Sequence, residues 1–197
     1  AIPKAVLVAH SPGTWDVRYM AARALATLPF VNTAISPVQA VEVKDPNELP
    51  GEGKPLAEAK WVEGPAELGR PDQIDYAKAT SDGGTPVRVY RYINMAKDDV
   101  VAIHFKGYDS VTPPGGNLVS GSEHVLRHAV TLDDLIPRRD DTVEPPVDAV
   151  FIDFVIPTDN LLVIGHGRGT FDYTVTNAAG TVPAVQTWIY VSTRVPR

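Results

Sequence analysis

Several groups of residues in this sequence have the types and spacing to react or to hold a ligand. His10 and Ser11 adjoin in Val6-Leu-Val-Ala-His-Ser-Pro-Gly-Thr-Trp15. A serine with a histidine base is the starting point of nucleophilic catalysis, but neighbouring strand residues point to opposite faces. The Gly-x-Ser-x-Gly turn that would expose such a serine is also missing. The same Ser/Gly turn before a helix start could cradle a phosphate on first-turn amides. Histidines 104, 124, 128 and 166 suit a transition metal, yet His124 and His128 lie two pleats apart on one strand, too far to share an ion. The pairs Asp98-Asp99, Asp133-Asp134 and Asp140-Asp141 supply calcium-type oxygens, but none falls in an Asp-x-Asp-x-Asp-Gly loop. They are expected to be solvated loop charge. The aromatic residues are the better candidates. Tyr90 and Tyr92 alternate along one run, and Trp188 and Tyr190 along another. If Val87, Val89, Thr187, Ile189 and Val191 face the core, these four rings stand on outer faces, where rings stack on sugars or protein partners. Tyr90, Tyr92, Trp188 and Tyr190 are therefore the expected ligand-binding residues. No catalytic residue, metal or cofactor is expected.

The elements that must position these rings follow from hydrophobic periodicity. A strand-like run, Ala5 to Ala9, precedes a turn at Ser11-Pro12-Gly13. Val17, Met20, Ala21, Ala24 and Leu28 then recur at three- and four-residue spacing, which predicts a helix capped by Thr14 or Asp16 and stopped at Pro29. Its apolar stripe needs a surface to pack on, which would cover the aromatic face. Residues 36 to 85 are rich in Pro, Gly, Glu and Lys and read as an irregular arm, with short extended pieces at Val38–Val43 and Ala59–Val62. After Gly84 the period becomes two: Val87, Val89 and Ile93; Val101, Ile103 and Phe105; Leu126 and Val130. The pattern continues with Val150, Ile152, Phe154 and Ile156; Phe171, Tyr173 and Val175; and Val185, Thr187, Ile189 and Val191. Turns at Pro113-Pro114-Gly115-Gly116-Asn117 and Asn177-Ala178-Ala179-Gly180 separate such runs, the pattern of an antiparallel sandwich.

Composition narrows the function classes. The 197 residues are 44% apolar and 21% charged, ordinary values for a folded chain. A net charge of −6, with no basic run longer than Arg138-Arg139, excludes the basic face that nucleic acid or an anionic membrane requires. No apolar stretch approaches the roughly 20 residues of a membrane-spanning helix. The absence of cysteine removes disulfides, thiolate metal sites and a cysteine nucleophile. The opening Ala1-Ile-Pro-Lys4 does not read as a signal peptide.

The terminal hairpin Gly169-Thr-Phe-Asp-Tyr-Thr-Val-Thr-Asn-Ala-Ala-Gly-Thr181, with its closing strand to Val191, resembles the last two strands of bacterial immunoglobulin-like repeats. Val155-Ile-Pro-Thr-Asp-Asn-Leu-Leu-Val-Ile-Gly165 is similar to the corner before that hairpin. Met95-Ala-Lys-Asp-Asp-Val-Val-Ala-Ile-His-Phe-Lys-Gly-Tyr108 is similar to the lead into their third strand. The likeness spans residues 80 to 192, and residues 1 to 75 are no copy of it. It implies an immunoglobulin-like antiparallel β-sandwich over 80–197, preceded by a strand-helix region and proline-rich arm over 1–79. It also implies a habitat: repeats of this kind occur in adhesins and other secreted or cell-surface bacterial proteins. The expected function is a non-enzymatic structural or adhesive module, whose partners are neighbouring domains of a longer chain or a host surface glycan or protein. A carbohydrate- or receptor-binding targeting domain of a secreted toxin is the alternative. An enzyme using the N-terminal loop comes third. That loop resembles the opening strand-loop-helix of flavodoxin-like proteins, but the βα units that fold requires do not follow.

Overall fold

The computed structural model describes residues 13–18, 20–25, 28–43, 48–62 and 73–194. They form a mainly β protein with several antiparallel sheets. The chain divides into two compact units, Ala1–Glu48 and Leu49–Arg197.

The first unit contains β1 (Gly13–Val17), β2 (Met20–Leu25), β3 (Leu28–Ile35) and β4 (Gln39–Val43). β1 pairs antiparallel with β4, and β2 with β3. The helix expected from Val17 to Leu28 is not formed. Three of the residues between Met20 and Leu25 are alanines, whose weak apolar character made a helical stripe without requiring one. The following run, Phe30-Val31-Asn32-Thr33-Ala34-Ile35, is aromatic and β-branched, and it gives the backbone of β2 a strand partner. Pro29, read as a helix stop, instead sits in a strand of a two-stranded ribbon, where an unpaired edge tolerates it.

The second unit begins with β5 (Lys60–Trp61), β6 (Gln73–Asp75), the short helix α1 (Tyr76–Thr80), β7 (Gly84–Tyr90), β8 (Val100–Tyr108) and β9 (His124–Ala129). It continues through β10 (Arg138–Asp140), β11 (Val147–Ala149), β12 (Phe151–Pro157), the helix α2 (Thr158–Leu162), β13 (His166–Thr176), β14 (Thr181–Pro183) and β15 (Thr187–Ser192). A three-stranded sheet has the order β12-β7-β5, and a larger one the order β6-β15-β13-β8-β9, with β14 also on β13. Among the described residues the strand pairings are antiparallel except β6 on β15, and one isolated parallel bridge joins Leu56 to Ala184. Residues 49–79, read from the sequence as part of the arm, thus contribute a strand to each sheet.

One hydrophobic cluster draws on both sheets. Val87 and Val89 of β7 and Ile152, Phe154 and Ile156 of β12 join Val101, Ile103, Phe105, Phe171, Tyr173, Val175, Ile189 and Val191 of the larger sheet. Each such fully buried apolar side chain contributes about 1.5–3 kcal/mol. Gly107 and Gly169 are paired across β8 and β13 at inward positions. A Cβ at Gly169 would lie 2.6 Å from the Phe105 ring, and one at Gly107 would lie 2.4 Å from Ile164. The two glycines therefore form the hollow in which that ring and Ile164 pack.

The alternation fails at two ends. β7 stops at Tyr90, and a turn at Ile93 and Asn94, with Asn94 at φ 64°, shifts the phase. Tyr92, expected outside, is buried, and Ile93, expected in the core, is 58% exposed. Val185 precedes β15 and is exposed, so only Ile189 and Val191 of its run reach the core.

Candidate functional site

The segment from Leu49 to Lys60 passes beside the end of β7. The Gly51 amide donates to the Ile93 carbonyl at 2.8 Å, and the Leu56 amide to the Pro183 carbonyl at 3.0 Å. The Tyr173 hydroxyl on β13 donates to the Ala57 carbonyl at 2.8 Å. An open cleft of about 340 Å³ remains between this segment and residues 90–93. Tyr90, Tyr92, Tyr173, Lys54, Lys60 and Arg91 are among the residues that line it; Tyr90 is half-buried, while Tyr92 and Tyr173 are 8% and 2% exposed.

Each phenol is held by the protein. Tyr90 donates to Asp140 Oδ2 at 2.6 Å and Tyr92 to Asp99 Oδ2 at 2.7 Å. Burial pushes the Tyr92 hydroxyl well above the ordinary phenol range, and the hydrogen bond and charge of Asp99 push it further. Burial alone pushes Tyr173 up to about 12. The Tyr92 and Tyr173 phenols thus stay neutral donors at physiological pH.

Behind Tyr90 lies a buried ionic assembly. Arg88, 7% exposed, reaches Asp140 at 2.6 Å and grips Asp153 with two bonds, Nε to Oδ1 at 2.7 Å and Nη2 to Oδ2 at 2.9 Å. Its guanidinium lies 3.5 Å from the Phe151 ring centroid, and that of Arg138 lies 4.4 Å from it. Burial opposes the Asp140 charge, but the hydroxyl and amide of Thr142, the Tyr90 phenol and Arg88 outweigh it and hold the carboxyl at about 2. Asp140 and Asp99 are fully or nearly fully buried, which corrects the expectation of solvated loop charge for one member of each pair, while Asp98 and Asp141 are exposed as expected. The reason is that each carboxylate finds a phenol and a backbone amide inside the fold.

Of the four aromatics selected from the sequence, the fold brings Tyr90 and Tyr92 to the cleft and leaves Trp188 and Tyr190 elsewhere. Trp188, 51% exposed, and Tyr190 stand on the outer face of β15, where the Tyr190 ring meets His166 edge-on at 5.5 Å. His104 does face away from the core and pairs with Asp172 at 2.9 Å, while His128 binds Asp134 at 2.8 Å. Asp134 is held at about 2: burial opposes its charge, and hydrogen bonds from His128 and Thr131 prevail. Among the described residues, no three His, Asp or Glu side chains gather around a point where an ion could bind. His10 and Ser11 lie outside the described residues. Sequence reasoning missed Tyr173, whose alternation marked it as core, and Arg91, Lys54 and Lys60, which carry no local signal.

No serine, threonine, cysteine or histidine lines this cleft. It offers apolar ring surface with cations at its margin. Comparison of the sequence with protein-family models gives no match, and comparison with curated proteins gives none either.

Proposed function

We propose that this chain is a non-enzymatic adhesive module of a secreted or cell-surface bacterial protein, with an immunoglobulin-like β-sandwich as its framework and the tyrosine-lined cleft as its binding surface. The cleft carries the reading. It is open, its half-buried Tyr90 ring is fixed by the hydrogen bond to Asp140, and its volume is at the lower end of the roughly 300–1,000 Å³ of small-ligand sites. The framework reading is supported by a core shared between two mainly antiparallel sheets and by the Asn177–Gly180 hairpin. There the Asn177 amide donates to the Gly180 carbonyl at 2.9 Å.

The test is binding of the labelled chain to intact host cells. Ile93→Glu puts a charge at the exposed cleft wall without entering the core, and Trp188→Ala removes the exposed ring on the other sheet. Saturable binding lost in the first variant and kept in the second supports the cleft. The reverse pattern moves the binding surface to β15. No binding by a folded sample refutes the adhesive reading and favours a spacer.

A further inference from the structure

The cleft differs in charge from the chain around it. The sequence carries a net charge of −6, whereas the lining holds Lys54, Lys60 and Arg91 against one carboxylate, Glu58. Lys54 and Lys60 form exposed ion pairs with Glu52 and Glu58, which are weak and exchange readily for another anion. Arg91 is exposed, and among the described residues its guanidinium has no acidic partner.

The walls offer something different. The Tyr90 hydroxyl is committed to Asp140, so its half-buried ring, with the exposed Ile93 side chain, presents a ligand with carbon surface, whereas Tyr92 and Tyr173 are buried in the core. The amides of Gly51 and Leu56 are also closed within the fold, which disfavours recognition of a peptide through its main chain. A ligand that satisfies both parts has a flat C–H face and an anionic edge.

We propose that the cleft takes an acidic saccharide, with a sugar ring lying on Tyr90 beside Ile93 and its carboxylate held by Arg91, and Lys54 and Lys60 flanking it. The volume of about 340 Å³ suits one or two sugar units. This inference rests on the recognition reading above and names its ligand class.

The experiment presents the full chain with glycans capped by sialic or hexuronic acid, beside the same glycans with neutral caps, and titrates the hits by calorimetry. The expected result is binding to acidic members only, weakened by added salt, with Arg91→Ala losing about tenfold or more and Arg91→Lys falling between. Equal binding of the neutral counterparts, or an unaffected Arg91→Ala, overturns the acidic-saccharide assignment and leaves the adhesive reading standing. Silence on all glycans with saturable cell binding does the same and points to a protein ligand. Silence on glycans and cells alike removes both.

Discussion

Replacing Asp140 by alanine strips a fully buried carboxylate from Arg88, Tyr90 and Thr142 together. Loss of one partner from a buried ion pair costs about 3–5 kcal/mol. Arg88 keeps its two bonds to Asp153, so the expected loss is at the lower end, about 3 kcal/mol. The depressed carboxyl pKa points the same way. Asp140 is held at about 2 against an ordinary 3.8, and at 1.36 kcal/mol per unit this corresponds to roughly 2 kcal/mol favouring the folded, charged form. Because the folded value is the lower one, this stability is complete above pH 4 and is lost as pH falls through 2. Urea denaturation of the parent and Asp140→Ala at neutral pH, with a slope of about 2 kcal/mol per molar, should show midpoints roughly 1.5 M apart. The gap should narrow as the pH approaches 2. Asp153→Ala, at a carboxylate more than a third exposed, should cost only about 1 kcal/mol. A midpoint change for Asp140→Ala no larger than that of Asp153→Ala, or one independent of pH, would refute the reasoning.

Three further outcomes are expected. Tyr92→Phe leaves Asp99, 2% exposed, with only the Ala96 amide of its two bonds, and should lower stability by about 1–3 kcal/mol in thermal unfolding. Gly167→Ala places a Cβ 1.9 Å from the Tyr108 carbonyl oxygen, an atom held in the backbone of β8, so a loss of about 3 kcal/mol or failure to fold is expected from expression and circular dichroism. Asp134→Asn weakens its bonds to His128 and Thr131 and should cost about 1–2 kcal/mol at pH 7 and almost nothing near pH 2, measured by urea midpoints at both values.

What the residues determine locally was legible in the sequence. Val87 and Val89, Val101, Ile103 and Phe105, and Phe171, Tyr173 and Val175 all reach the core, because alternation along a pleat needs no knowledge of the rest of the chain. The Asn177–Gly180 turn was legible for the same reason, since its hydrogen bonds close within four residues. Alternation could not tell where β7 ends, so Tyr92 and Ile93 exchanged places once the strand stopped. Nor could three- and four-residue spacing distinguish a helix from a strand over Met20–Leu25, where the deciding factor is a pairing partner. The cleft depends on tertiary structure entirely. Arg88 and Asp140 lie 52 residues apart, and Tyr173 and Ala57 lie 116 apart. Whether a carboxylate is buried, or a tyrosine lines a cleft rather than a core, is decided by which distant groups arrive to satisfy it, and only the folded chain brings them there.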